Sequence, residues 1–386
     1  MRKLFIVFVS LISLATCVFG SETRTFSMGQ TGLFLRDNSN VIPFPGTLMY
    51  YNNEIITELR FKDAENQFSG GVHLPFMKSS AVVGVYLNRP LLPMDPFDVG
   101  DNVALLRTTD VLYGMKLGGT NVGFRLSYAS DAFEQDEPPA LDIEENARYI
   151  EAAAGISAQK YDIGVNFYIP SIEYKTDLIN DEYSAIGFGV NGRYFYRVSE
   201  KMEYVPVVIL GFTSGSDEFK PLGGDTEKAD FSALAFTFAG SMNYQVDENN
   251  LIILGIQPYS QTSTTVDVPN FGETTTTFTI FPAIHLGGET RLASWLIGRI
   301  GAFQAFQTTA TEFKPDVGDT EKSSSSASFL NFSFGLGVEV GNFVIEFDLN
   351  DGTLFEGPYI LGGRARDTFN RVSVTYNFGA KKEENK

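Results

Sequence analysis

From Glu54 onward the chain is written in twos. Apolar side chains fall at every second position of short stretches, with small or polar side chains between them. Successive side chains of a strand point to opposite faces, so these stretches predict two-faced β-strands. The clearest is 231–245. Leu234, Phe236, Phe238, Met242 and Tyr244 share one side, and Ala235, Thr237, Ala239, Ser241, Asn243 and Gln245 share the other. Sixteen such stretches follow one another, at 54–62, 68–76, 81–89, 111–117, 121–130, 147–159, 161–169, 186–198, 203–212, 231–245, 251–259, 275–287, 295–309, 329–340, 343–349 and 371–378. A few alternate less cleanly, so a count of fourteen is equally acceptable.

The connections carry a second period. Short ones at 77–80, 118–120, 160, 199–202, 247–249, 289–294 and 341–342 alternate with longer ones at 90–110, 131–146, 170–184, 214–230, 260–274, 310–328 and 350–370. A membrane barrel with tight turns at one rim and long loops at the other has this rhythm, and a secreted sandwich has no reason for it. The expected fold is all-β: an antiparallel up-and-down transmembrane β-barrel of 14–16 strands, its apolar faces on lipid and its polar faces on a wet lumen. Phe236→Arg is then expected to disturb insertion and Asn243→Arg to be tolerated. The preceding residues 21–53 are cut into short pieces by Gly29, Gly32, Pro43, Pro45 and Gly46, yet they carry Phe26, Leu33, Phe34, Leu35, Val41, Ile42, Phe44 and Leu48. So broken and so apolar a segment is expected to fold into the barrel as a plug, with Met28, Gly29, Gly32, Asp37, Pro45 and Gly46 as its candidate residues. Arg36 and Asp37 would pair with lumen charges such as Glu58 or Arg60.

Composition refines this picture. Hydrophobic residues are 43% of the 386, mean hydropathy is -0.04, and Phe and Tyr number 34 and 17. No apolar run reaches the ~20 residues of a spanning helix. Residues 1–20 read as a signal peptide, with Arg2 and Lys3 before a short apolar run and small residues ahead of Ser21. The chain thus divides into a signal peptide (1–20), a plug (21–53), a transmembrane barrel (54–378) and a charged periplasmic tail (379–386), placed in the outer membrane of a diderm bacterium. Cys17, the one cysteine, lies in the signal. A second reading makes it a lipid-attachment residue, though Thr16 suits that poorly. The net charge of -18 repels phosphate backbones, so nucleic acid is excluded as a partner. The expected partners are outer-membrane lipid, barrel-assembly machinery, an unidentified solute and, in one reading, a secreted protein.

The polar faces supply the candidate lumen-lining charges: Glu58, Arg60, Lys116, Arg125, Asp162, Arg193, Arg197, Glu339, Glu346, Asp348 and Arg371. Their bland role is a salt-bridged interior. Their functional role is solute selection, with Arg193 and Arg197, four apart on one strand, as the best anion contact. His73 and His285 are the only histidines, and with no thiol in the mature chain neither a transition-metal site nor a His-dependent nucleophile is expected. Gly70–His73 is like the histidine stretch of outer-membrane phospholipases, but Leu74-Pro75 follows where Ser-Asn-Gly is needed. No enzyme activity and no cofactor are expected. Seven acids between Asp131 and Glu145 predict a solvated loop.

The glycine-rich Met28–Gly32, then Asp37–Asn40 and the turn Pro43-Phe44-Pro45-Gly46, resemble the N-terminal signature of FadL-type outer-membrane barrels. That superfamily includes long-chain fatty-acid transporters and the PorV-type barrels of type IX secretion. It usually reads Asn-Pro-Ala-Gly where this chain has Pro-Phe-Pro-Gly. The resemblance implies fourteen strands and an N-terminal segment folded into the barrel mouth. Residues 371–378 also resemble the closing strand read by barrel-assembly machinery, although a charged tail follows. Two functions are open on this basis: a porin-like or FadL-like channel for small, possibly hydrophobic solutes, or a non-transporting barrel that anchors or shuttles secreted proteins.

Overall fold

The computed structural model describes residues 22–61, 67–76, 80–90, 103, 105, 107–135, 142–221, 223–349 and 368–379. The expected signal peptide, Cys17, the tip of the acidic loop and all but the first residue of the tail lie outside them. The strands are β1 (Glu54–Arg60), β2 (Gln67–Phe76), β3 (Ala81–Pro90), β4 (Arg107–Leu117), β5 (Thr120–Gln135), β6 (Ile143–Ala158), β7 (Tyr161–Thr176), β8 (Ile179–Tyr194), β9 (Tyr196–Arg197), β10 (Met202–Pro221), β11 (Glu227–Asp247), β12 (Asn250–Val268), β13 (Gly272–Ala293), β14 (Leu296–Pro315), β15 (Glu321–Val340), β16 (Phe343–Leu349) and β17 (Phe369–Asn377). β8 and β9 are one strand interrupted at Phe195, and both pair with β10. Every pairing is antiparallel between chain neighbours, and β1 closes the ring on β17 from Glu54 opposite Asn377 to Arg60 opposite Arg371. The described strands thus form a closed sixteen-stranded barrel, two more than the resemblance implies. Closure removes every sheet edge, which matters most where no water can satisfy an open one.

The period-2 pattern sorts the side chains as expected. Ile55, Leu126, Phe167, Leu210, Phe238, Leu254, Ile300 and Phe332 stand exposed on the outer face. Their neighbours Ile56, Arg125, Ala239, Ile253 and Arg299 are buried inside. So large an apolar outer surface has lipid, not water, as its natural neighbour.

The long connections are corrected. Residues 170–184, 214–230, 260–274 and 310–328 are not loops. β7, β8 and β10 to β15 run on through them and turn only at tips such as 269–271 and 316–320. These extensions are rich in Thr, Ser, Asp and Glu on both faces, so they carry no apolar alternation. The hydrogen-bond ladder continues without it, because backbone pairing does not require a buried face. The same applies to much of the acidic loop, since Asp131 and Glu134 lie on β5 and Glu144 and Glu145 on β6.

Candidate functional site

Residues 22–51 pack against the inward-facing side chains at the short-turn end of the barrel. They fold as α1 (Thr23–Phe26) and three 3-10 turns at Thr31–Leu33, Asn38–Val41 and Pro45–Tyr50. Left-handed Gly29 and Gln30 follow the first helix, Pro43 follows the Asn38–Val41 turn, and Pro45 opens the last one. Asp37 caps the second turn: its carboxylate accepts Ser39 N at 3.1 Å while Asn40 Oδ1 accepts Asp37 N at 2.9 Å.

The barrel wall is cut to this segment by glycines. Gly84, Gly114, Gly123, Gly155, Gly164, Gly255, Gly287, Gly301 and Gly335, one from each of nine strands, all face it. A Cβ on Gly123 would overlap the Pro45 carbonyl, one on Gly164 the Pro43 carbonyl, and one on Gly301 the Gly29 amide. The fit is reciprocal. A Cβ on Gly46 would lie 2.8 Å from Ser157 N, and one on Gly29 2.5 Å from Leu286 O. A strand glycine at such a place marks close approach of another backbone. Gly32 instead faces its own segment, 3.3 Å from Thr25 Oγ1 when given a Cβ.

Two apolar patches hold the segment. Met28, Phe34 and Leu35 pack on Val205, Val207, Ala239 and Ile253, which explains why residues 204–212 of β10 are apolar on both faces. Val41, Ile42 and Leu48 pack on Ile56, Val82, Tyr86 and Leu112.

Ions join the rest. Arg24 donates to both oxygens of Glu289 at 2.9 Å and to Asp37 at 3.2 Å. Burial works against its charge, yet Glu289 and Asp37 hold its pKa above the ordinary value. Glu289 also accepts Arg299 at 2.7 Å, and Arg299 reaches Glu346 at 2.9 Å. Glu58 accepts the Glu22 amide at 2.7 Å and pairs with Arg60 at 2.8 Å. Arg371 pairs with Glu22 and lies 3.6 Å from the Phe26 ring centre. Asp162, fully buried, joins Arg193 at 2.9 Å and Arg36 at 3.2 Å. Arg193 then donates to Leu35 O at 2.7 Å, Leu33 O at 3.1 Å and Asn40 Oδ1 at 2.8 Å. Both histidines serve the segment as well. His73 Nδ1 donates to Tyr51 O at 2.6 Å and His285 Nδ1 to Gly29 O at 3.0 Å. A carbonyl partner requires the proton on Nδ1 in each ring.

The predicted charges are therefore sorted. Glu58, Arg60, Asp162, Arg193, Glu346, Asp348 and Arg371 face inward at this end, and Asp348 is 3% exposed. Arg125 is inward but joins a different cluster. Lys116 and Arg197 are exposed at the short-turn rim, where the sheet ends and water replaces the interior. Glu339 is half-exposed there and paired with Arg291 at 2.8 Å. The Arg193–Arg197 anion contact is overturned. The break at Phe195 parts the two, and Arg193 spends its donors on Asp162 and the segment. Arg36 finds Asp162 instead of Glu58, and Asp37 finds Arg24. Asn243 faces inward as expected but is not in water, since its Nδ2 donates to Phe34 O at 2.8 Å.

The second cluster lies on the wall toward the long-connection end. Arg89 donates to Asp110 at 2.6 and 2.8 Å, and Arg125 donates to Glu151 at 2.6 and 2.7 Å. Tyr149 Oη and Asn166 Nδ2 complete the Glu151 shell at 3.0 and 2.9 Å. Sequence reasoning missed Arg89, Asp110, Glu151, Arg24, Glu289 and Arg299. A bulge between Tyr86 and Arg89 aims Arg89 inward, Glu151 sits in an alanine-rich strand with weak alternation, and Glu289 was assigned to a turn. The strand glycines were the available signal.

No family model matches the sequence, and no curated protein does. Among solved structures the chain is similar to the Pseudomonas putida toluene transporter TodX, with 12% identity and a TM-score of 0.37 over 94% of this chain and 99% of that one. It is similar to the Ralstonia pickettii toluene transporter TbuX, with 11% identity and a TM-score of 0.42 over 93% and 97%. It is also similar to the ferric preacinetobactin receptor BauA of Acinetobacter baumannii, with 9% identity and a TM-score of 0.36 over 84% and 79%.

Proposed function

We propose that this chain is an outer-membrane transport barrel for small hydrophobic solutes, and that residues 22–51 close its lumen at rest. One observation carries the reading: glycines from nine strands shape the interior to a segment that, beside its two apolar patches, is tied to the wall by many ion pairs and hydrogen bonds. A segment needed only for stability would be served by the apolar patches alone, since apolar contacts are often as stable as buried ion pairs. A segment that must leave its seat needs contacts that water can replace, and charged groups meet that need. The interior beyond the seat favours apolar solutes. Ala283, Phe303, Ala305 and Ile280 form one apolar patch there, and Ala147, Ile172, Tyr183, Phe231 and Val266 form another.

The test is uptake of an apolar fluorescent solute into liposomes holding the folded barrel, with and without residues 21–47. Faster uptake after deletion supports a closing role. Unchanged uptake through a barrel that still shifts on an unboiled detergent gel refutes it and favours a docking role for the segment.

A further inference from the structure

The outer wall carries a groove that lipid contact alone does not explain. Four adjacent strands, β12 to β15, line it with two rungs of outward residues of unlike chemistry. One rung is Tyr259, Phe281, Phe306 and Ser328; the other is Thr279, Thr308 and Ser326, with Gln307 and Ala327 between them. Register aligns them: Thr279 lies opposite Thr308, Thr308 opposite Ser326, and Phe306 opposite Ser328. An irregularity between Ile280 and Ala283 turns Phe281 outward, where it is 66% exposed. Bulges re-aim side chains in this way. Between the rungs lies a groove of about 750 Å³, within the usual range for small-molecule sites.

The groove straddles a boundary. Toward the short turns the same outer faces bear Leu254, Ile256, Leu286, Ile300 and Leu330. Toward the long connections they bear hydroxyls in facing pairs, Ser263 with Thr277 at 3.3 Å and Thr265 with Thr275 at 3.1 Å. Within the groove Thr308 and Ser326 hydroxyls are 2.9 Å apart. One hydrogen bond between two hydroxyls leaves a donor and further lone pairs for a ligand.

We propose that this groove binds one outer-leaflet glycolipid through an uncharged sugar headgroup. The three aromatic rings take the chain and the apolar face of the sugar, and the Thr279, Thr308 and Ser326 hydroxyls take its hydroxyl groups. The lining contains no Lys or Arg and no acid. A phosphate headgroup would find no cation there, although Arg and Lys are its usual ligands. The groove opens away from the lumen and joins the apolar belt, so its occupant comes from the surrounding lipid. The site lies outside residues 22–51 and their seat and does not depend on the transport reading.

Dodecyl maltoside is the probe, because it joins an alkyl chain to an uncharged sugar. The full folded barrel is transferred from dodecyl maltoside into dodecyl dimethylamine oxide, and retained maltoside is counted by native mass spectrometry. The expected result is one retained molecule, with occupancy falling about tenfold in Thr308→Val/Ser326→Ala through loss of hydroxyl contacts. Phe281→Ser should lower it too, and Thr265→Val/Thr275→Val, outside the groove, should not. All variants are checked for folding by migration of unboiled samples. Equal occupancy in wild type and Thr308→Val/Ser326→Ala overturns the proposal. So does equal retention of dodecyl phosphate, which would mark an unselective apolar crevice.

Discussion

Asp162→Asn removes the one carboxylate that ties Arg36 of the N-terminal segment and Arg193 of the wall together. The substitution keeps shape and leaves two cations facing each other without a counter-ion. Their weights differ. Arg193 and Asp162 side chains are both fully buried at 2.9 Å, whereas Arg36 is 24% exposed at 3.2 Å. Removing one partner of a buried pair costs about 3–5 kcal/mol, because the remaining charge stays out of water. Arg193 keeps acceptors at Leu33, Leu35 and Asn40, which places the effect near the lower end, about 3 kcal/mol. When the segment leaves its seat, water reaches both arginines and the penalty lapses. The seated state therefore loses about two orders of magnitude in population relative to the open one. Single-channel recording of the refolded barrel should show a matching rise in open probability, and protease should cut the N-terminal segment faster. Adding Arg36→Gln to Asp162→Asn should restore part of the closure, since one uncompensated cation is gone. An open probability unchanged by Asp162→Asn, or a double variant more open than the single one, would refute this account of what holds the segment.

Further outcomes follow from the same contacts. Gly301→Val and Gly123→Val place side-chain atoms where Gly29 and Pro45 now lie, so both should expose residues 22–51 to protease while the barrel keeps its unboiled gel shift. Leu254→Arg puts a charge on the outer belt and should lower folding stability in bilayers by roughly 2–4 kcal/mol, measured by urea titration in vesicles; a change below about 0.5 kcal/mol would remove that face from lipid. Asn243→Arg should resemble Gly301→Val rather than a neutral change, because the larger side chain displaces Phe34 from its hydrogen bond. Purified protein should have the intact mass of a chain beginning at Ser21, and a lipid mass on Cys17 would reverse that.

The architecture was legible because a membrane wall has one rule, apolar outside and small or polar inside, and a strand reports it at every second residue. Residues 231–245 show it fully: Phe238 and Leu234 are outside, Ala239 and Asn243 inside. The rule lapses where the wall leaves lipid. The Thr and Ser runs at 262–265 and 323–326 fall in the expected long connections, yet they are paired strands.

The interior was legible only as a set of side chains facing one another across unknown gaps. Period two places Asp162 and Arg193 on inner faces, and neighbouring strands make their pairing foreseeable. Nothing in the sequence says that Arg36, 126 residues before Asp162, completes the trio, or that Arg24 meets Glu289. Those distances depend on how a broken segment of 30 or so residues coils inside a closed ring, a matter of three-dimensional fit. The nine glycines show the difference. Each is visible in its strand as a missing side chain, but a missing side chain has no partner until the fold brings the N-terminal segment against it.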